Sequence, residues 1–564
     1  MSLTIPQRHL SDWIDEICGE CNSSAEQRRS LLKMYRSYYY TGTSDGSVAV
    51  YNRCYPHVER LGAFLYSPTD VRFHIEFDQS EGEEVEAMGN AAARKLNRLF
   101  HQKNLDTAFA AAVNGALIDG CNILKANQGF DGPEGWVIRP GFFGVLREDI
   151  EDLDRQEAFV HTTYMTPSAF ERTIVEHPDR ERIMAEVKTK SESTQTEDDI
   201  EQDYFHQIIV GGTQPVSMST SAGTGMVGVV GVPTPVLDAK VARSLVCCHE
   251  VWVQDKERQD YTTLRMVKPD VVVEGKDRRR NLCGLNDFTG KNAPNSGFHP
   301  FTKVSPNEIQ GYFWGQSELA AIYRLQDDLN EQVKNMTRLR RLKADPPRSA
   351  VGFAGLNLEK YKAFNRPRGF ISEENPNAKM NEHAPEIPQE FFQWMERTML
   401  MFDDVAGFTP IMQGQGEQGV RSQQQASMLA RNSSPRMRDR ALLVERQCAE
   451  WGEFIFRMMQ AKDAEVMREK IGSQKGVEFT LDQLPDDVKV AVDSHSSSPV
   501  YHDDHLQLAY GLAKAGAVDA ADLIMLTHPP HEDILYARAK AREEAQAKLL
   551  QQHPELMLQK GKRK

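Results

Sequence analysis

Four groups of residues have types and spacings that could do chemistry. Cys18 and Cys21, in CGEC, have the spacing of half a zinc site or of a redox dithiol. No second matching pair occurs in the chain, and the same spacing on a helix places both thiols on one face. Cys247, Cys248, His249 and Glu250 form a run of potential ligands. In a strand, however, neighbouring side chains point to opposite faces, which makes a poor chelate, so strand packing is the expectation. His502 and His505 in HDDH, and His528 and His531 in HPPH, have ligand-like spacings without an obvious third ligand. The acid pairs Asp327–Asp328 and Asp403–Asp404 could hold Mg²⁺ in a nuclease, although on amphipathic helices such pairs commonly form a solvated face. A metal-dependent nucleic-acid-processing enzyme and a non-channel scaffold or adaptor are the two alternatives these features leave open. The chain has no Walker A loop, no G-x-S-x-G elbow and no kinase motif set. The expectation is a non-enzyme with no metal and no cofactor.

A different chemistry is written into residues 407–440, GFTPIMQGQGEQGVRSQQQASMLARNSSPRMRDR. Six glutamines (413, 415, 418, 423, 424 and 425) are interleaved with glycine, and Arg421, Arg431, Arg436, Arg438 and Arg440 outnumber Glu417 and Asp439. Glutamine amides and glycine backbone contact phosphates and sugars without strong attraction. Taken alone, the segment reads as a linker. The chain carries a formal net charge of -14, so it does not wrap nucleic acid by bulk attraction.

The elements around these residues follow from periodicity. With 564 residues the chain can bury sizeable cores in several domains or one large composite. No run of about 18 apolar residues predicts a membrane span, and the start lacks the basic end and apolar core of a signal peptide. Eight sparse, irregular cysteines fit free thiols in a reducing compartment. Helices are predicted over 24–42, 51–66, 82–101 and 104–119. A half-buried strand carries Val71, Phe73, Ile75 and Phe77 on one face, and short strands follow in CNILKA, WVIRP and GVLRE. A helix opens at Thr166–Pro167. SLVCCHEVWVQD and YTTLRMVKPDVVVEG pair around KERQ, and GVEFTL and VKVAV form a late strand pair.

From Gly315 the character changes to long helices. Ile322, Leu325, Leu329, Val333, Met336 and Leu339 recur at three- and four-residue steps until Pro346–Pro347 stop the helix. Its first half gathers acids and its second half bases, the sense the helix dipole favours. Residues 346–385 read as irregular. A second helix from Pro388 to Gly407 carries Phe391, Met395 and Phe402 on its apolar face. A third carries the stripe Ala441, Val444, Cys448, Trp451, Ile455 and Met458, with Pro435 expected to kink it.

This order of parts resembles the portal proteins, the head–tail connectors of tailed bacteriophages. The resemblance covers roughly 25–525, and its telling local matches are GQSELAAIYRLQDDLN, VHTTYMTPSAFER and SHSSSPVYHDDHLQLAYGLAKAGAVD. It implies an α+β, helix-rich fold with wing, stem, clip and crown. Residues 1–315 would be an α/β wing, in which the flexible acidic and Gly-rich insertion at 190–235 matches no family part. Residues 316–344 would be the first stem helix, 345–385 the clip and 386–406 the second stem helix. Residues 407–434 would be the tunnel loop, 435–499 the kinked wing helix and returning strands, and 500–564 a short helical crown and basic tail. No long coiled-coil barrel is expected above that crown.

The family's function then implies a ring, usually a dodecamer, at a capsid vertex of the virion, assembled in the host cytoplasm. Double-stranded DNA would pass along its axis without sequence preference during packaging and ejection. Implied partners are further copies of the chain, the terminase large subunit, tail adaptor or head-completion proteins, and the major capsid and scaffolding proteins, with no membrane. Carried over by position, Gln413, Gln415, Gln418, Arg421, Gln423 and Gln424 would face DNA. Ile322, Leu325, Leu329, Val333, Met336, Phe391, Met395 and Phe402 would pack the stem, including between ring neighbours. Lys360, Lys362, Arg366 and Arg368 would dock partners at the clip.

Overall fold

A computed structural model describes residues 51–68, 71–77, 83–129, 132–138, 141–165, 167–175, 180–191, 246–255, 260–267, 271–274, 299–344, 348–351, 379–382, 388–407, 435–462, 467–469, 477–484, 488–492 and 508–527, with positions 17, 31–32, 34–35, 346, 377, 386, 535–536, 538–539 and 541–542. The chain divides into two compact units. One gathers Met1–Arg28, Glu59–Ser317 and Ser427–Lys564; the other gathers Arg29–Val58 and Glu318–Ala426. The fold is α+β and helix-rich, with five small sheets among the described residues.

The division falls inside α1 (Cys54–Leu65), and the first unit mixes helices with antiparallel strands. Strand β1 (Phe73–Phe77) is followed by α2 (Glu83–Gln102) and α3 (Leu105–Asp119). Helix α3 is Ala-rich and buries Phe109, Ala112, Val113, Ala116 and Leu117, because small side chains let it lie close to the hairpin β2 (Asn122–Gly129)–β3 (Gly132–Ile138). Strands β4 (Phe143–Val145), β5 (Ala158–Met165), β6 (Val246–Asp255), β7 (Asp260–Val267) and β8 (Val271–Glu274) form an antiparallel meander in sequence order. Strands β6 and β7 pair antiparallel as expected, with Asp255 opposite Asp260. Helices α4 (Pro167–Thr173) and α5 (Arg180–Ser191) bury Phe170, Ile174, Ile183 and Met184 with Val246 and Cys248. Strand β9 (Phe301–Val304) completes the three-stranded sheet in the order β3-β2-β9.

Between β9 and the second unit the chain makes two left-handed glycine turns, at Gly311 (φ 73°) and Gly315 (φ 66°). Ser305 Oγ donates to the carbonyl of Gly120 at 2.9 Å, and Ser317 Oγ donates to that of Ile118. The irregular stretch is thereby fastened to the end of α3.

The second unit contains α6 (Glu318–Ala344), strands β10 (Arg348–Val351) and β11 (Lys379–Glu382), and α7 (Gln389–Ala406). The chain then returns to the first unit in α8 (Pro435–Lys462), β12 (Met467–Glu469), β13 (Val477–Phe479), β14 (Val488–Val492) and α9 (Ala520–Thr527). All six residues of the α8 stripe are buried: Ala441, Val444, Cys448, Trp451, Ile455 and Met458. They pack towards β14, β9 and β3. Burying one side chain of Ile or Met size is worth about 1.5–3 kcal/mol, so this helix is a principal organiser of the core.

Several local expectations need correction. GVEFTL and VKVAV do not pair with each other: β13 pairs with β12, and β14 pairs with β1, with Phe73 opposite Val492. The apolar faces of β1 and β14 are matched across more than 400 positions of chain, a pairing that local patterning does not reveal. Strands β5 and β9 were not anticipated, because AFVHTTYM and FTKV carry no clear alternation. The 346–385 segment is not irregular at its ends, where β10 and β11 pair antiparallel from Arg348–Glu382 to Val351–Lys379. The kink expected at Pro435 falls at the edge of the described residues, which resume there with α8.

Candidate functional site

Helix α6 contains neither glycine nor proline, and its 27 residues span about 40 Å. Glu318 lies in its first turn and Arg341 and Lys343 in its last, complementing the dipole. Helix α7 runs back beside it and ends at Gly407, whose left-handed conformation (φ 71°) lets its N–H cap the carbonyls of Asp403 and Asp404. The residues anticipated to pack a stem lie on these two helices. Ile322, Leu329 and Phe402 are buried, while Leu325, Val333, Met336, Phe391 and Met395 are half-buried.

The seam also holds polar residues that apolar periodicity passes over. Gln326, Asn330, Gln332 and Thr398 are all buried. Gln332 Nε2 donates to Thr398 Oγ1 at 2.9 Å and to Asp328 at 2.8 Å. Gln326 accepts from the Arg53 amide at 2.9 Å and donates to the Tyr51 carbonyl at 2.7 Å, and Asn330 accepts from the Tyr51 amide at 3.1 Å. Arg53 in turn donates to the Met399 carbonyl at 3.2 Å and to Asp403 at 2.9 Å, with its guanidinium over the Phe402 ring. Residues 51–53 are thereby pinned along one flank of the hairpin. The sequence signal was present as amides at apolar-face positions of a long helix. Burial and the nearby Asp327 charge push the Cys54 thiol up to about 12, so it is an inert packing group.

Among the described residues, the candidates weighed for metal or redox chemistry do not converge. Asp403 is engaged by Arg53, and Asp328 by Gln332. Cys248 packs in an apolar cluster, and His249 Nδ1 lies 2.9 Å from Thr162 Oγ1. Among the described residues no group of three or more His, Cys, Asp or Glu could hold a metal ion. Cys18, Cys21, His502, His505, His528 and His531 lie outside the described residues. The same holds for the loop residues Gln413, Gln415, Gln418, Arg421, Gln423 and Gln424, and for Lys360, Lys362, Arg366 and Arg368.

One ionic cluster was missed altogether. Lys125 on β2 lies 2.5 Å from Glu250 on β6 and 3.2 Å from His161 on β5, and all three are buried. Burial alone would raise the Glu250 carboxyl, but the Lys125 charge and the His161 hydrogen bond outweigh it and hold the group at about 2. Burial, followed by the Lys125 charge, lowers His161. The Lys125 ammonium also sits 5.4 Å from the centre of the Phe301 ring. The cluster ties the three-stranded sheet to the five-stranded one. Its traces in the sequence were a lone lysine within the apolar run CNILKA and Glu250 in the run CCHE.

The class defined by these elements is an α+β body with a two-helix hairpin that ends in a strand pair. No family model matches the chain, and no curated protein matches it. Among solved structures it is similar to a chain in the neck of an empty GTA particle computed with C6 symmetry, at 13% identity and TM-score 0.38, covering 88% of this chain and 94% of that one. A chain in the neck of a native GTA particle computed with C12 symmetry is similar at 11% identity and TM-score 0.36, covering 88% and 93%. A chain in the virion of the native gene transfer agent particle is similar at 12% identity and TM-score 0.38, covering 89% and 93%. No helix among the described residues is long and apolar enough to cross a membrane.

Proposed function

We propose that this chain is a portal protein, the ring-shaped head–tail connector of a tailed-phage-type virion, closing as a dodecamer at one capsid vertex. Double-stranded DNA moves through its axial channel during packaging and ejection. The packaging motor docks at the 345–385 end of the hairpin, and tail adaptor proteins replace it there. Residues 407–434 face the DNA.

The observation that carries this reading is the succession α6, β10–β11 and α7. An unbroken helix of 27 residues, a strand pair after it and an 18-residue returning helix, in one compact unit, support the stem–clip–stem order that the resemblance implies. The chemistry of the following loop fits a conduit. A channel that translocates DNA must not hold it tightly, and amides with sparse arginines offer weak, sequence-independent phosphate contacts in an acidic protein.

Mass photometry and negative-stain imaging of the purified full chain test the reading. A large ring with a central hole is expected. A stable monomer under assembly-promoting conditions overturns it.

A further inference from the structure

Helix α7 delivers the chain to 407–434, and its C-terminal part is thinly packed. Of the side chains from Met399 to Val405 only Phe402 is buried, while Leu400, Met401 and Val405 are 64%, 37% and 42% exposed. Asp404 is exposed too, and Met399 and Asp403 are half-buried. With a single buried side chain, apolar packing holds this end weakly, so directed polar contacts decide where it sits.

Arg53 supplies such contacts. Its Nη1 donates to the Met399 carbonyl at 3.2 Å and its Nη2 to Asp403 Oδ1 at 2.9 Å, with the guanidinium 5.3 Å from the centre of the Phe402 ring. One planar fork thus grips a backbone carbonyl, a carboxylate and an aromatic face, which the point charge of a lysine does not reproduce. Buried His57 meets Phe402 edge-on at 6.1 Å. The neighbouring charges are engaged elsewhere or face solvent: Asp328 accepts from Gln332, and Arg397 and Asp404 are exposed.

The backbone around Arg53 is itself fixed to the other helix. Gln326 of α6 accepts from the Arg53 amide and donates to the Tyr51 carbonyl, so one side chain reads two backbone groups of the strap 51–53. Asn330 accepts from the Tyr51 amide, and Asn52 donates to the carbonyls of Met34 and Tyr35 at 3.4 and 2.8 Å. The strap is therefore anchored to α6 by its backbone and to α7 by its Arg53 side chain. Asp403 stands about 6 Å along the helix axis from Gly407, whose amide bonds to the Asp403 and Asp404 carbonyls. A shift of the Asp403 turn moves the first residue of 407–434 with it.

We infer that Arg53 is a positioning residue for 407–434: it ties the end of α7 to the strap on α6 and so fixes where the proposed DNA-facing segment starts. The inference deepens the DNA contact proposed above and rests on it.

Hydrogen–deuterium exchange and DNA retention test it in the full chain. Arg53→Gln should speed exchange of the amides of 399–407 roughly tenfold, the effect of losing a charge-assisted hydrogen bond, while ring formation and the protection of α6 hold. Arg53→Lys, which keeps the charge but not the fork, should behave like Arg53→Gln. Asp403→Asn, which keeps the acceptor but not its charge, should act in the same direction with a smaller effect, and stays informative where Arg53→Gln fails to fold. Arg53→Asp combined with Asp403→Arg should slow the exchange again. Particles built with Arg53→Gln should retain less DNA per capsid than wild type, and the substitution should cause no further loss once 411–424 is deleted. Unchanged exchange at 399–407 in both single variants overturns the inference. A further loss of DNA in the deleted background assigns Arg53 a general structural role and also overturns it. Faster exchange with normal DNA retention, where the 411–424 deletion does lose DNA, overturns the inference and leaves the DNA contact standing. Normal retention in the deletion as well overturns both together.

Discussion

Gln332 on the first long helix of the hairpin donates to Thr398 on the second at 2.9 Å, inside a seam where both side chains are buried. The same Gln332 has its Oε1 buried without a hydrogen-bond partner among the described residues. Removing one partner of a buried amide leaves its desolvation uncompensated, whereas replacing both by apolar groups of similar shape can be nearly neutral. Thr398→Val is therefore expected to cost about 1–3 kcal/mol. The double variant Gln332→Leu/Thr398→Val should lose less than Thr398→Val alone. Denaturant unfolding of the four members of this cycle measures the difference.

Acid sensitivity should trace to Glu250. Its carboxyl is held at about 2 in the folded chain against an ordinary value of 4.5. A depressed folded value means that stabilisation is full above the ordinary value and is lost as pH falls from there towards about 2. His161, lowered from its ordinary 6.5, acts in the same direction and begins to withdraw stability below that pH. Stability measured between pH 7 and pH 3 should fall, and Glu250→Gln should flatten the lower part of the curve. Lys125→Met alone, which strands a buried carboxylate, should cost about 3–5 kcal/mol at neutral pH.

Gly135 in β3 lies under α8. A Cβ there would come 2.6 Å from Cζ2 of the buried Trp451 and 3.0 Å from Leu105. Glycine within a strand ordinarily weakens it, so alanine would be expected to help. Here the overpacking decides the sign, and Gly135→Ala should destabilise by about 1–3 kcal/mol. Pairing it with Trp451→Phe should recover part of that loss in thermal unfolding.

The helices were legible because their signals are local. The stripe from Ala441 to Met458 and the face containing Ile322, Leu329 and Phe402 obey one period, and glycine or proline marks their ends. The pairing of β1 with β14 was not legible, since register between distant strands depends on tertiary packing. The polar seam was missed for a related reason. Gln326 and Asn330 fall on the apolar face of their helix, but their partners Tyr51 and Arg53 lie far away in the chain. The Lys125–His161–Glu250 cluster joins three strands of two sheets, and no single stretch of sequence contains more than one of its members.

The docking role proposed for 345–385 is testable independently of the helix hairpin. Lys360, Lys362, Arg366 and Arg368 fall in sequence between β10 and β11, outside the residues of the described seam. Lys360→Glu/Lys362→Glu should leave the melting temperature and ring formation unchanged while weakening co-purification with the motor or adaptor. Unaltered docking removes these two residues from the interface.

The proposed DNA contact is tested most directly in the Gly- and Gln-rich segment 407–434. Helix α7 ends in a glycine cap at Gly407, and the described part of α8 begins at Pro435, so the Gly407 and Pro435 signals both lie outside 411–424. Deleting 411–424 shortens the connection without removing either signal, and ring assembly is expected to survive. What should fail is the handling of DNA, because Gln413, Gln415, Gln418, Arg421, Gln423 and Gln424 are removed together. Particles assembled with the deleted chain should package or retain less DNA than wild type, measured as DNA mass per capsid. Arg421→Ala alone should have a smaller effect that fades with rising salt, since a single arginine contributes one phosphate contact to a salt-dependent sum. Deleted particles that fill and hold DNA normally would remove the loop from the channel's working surface.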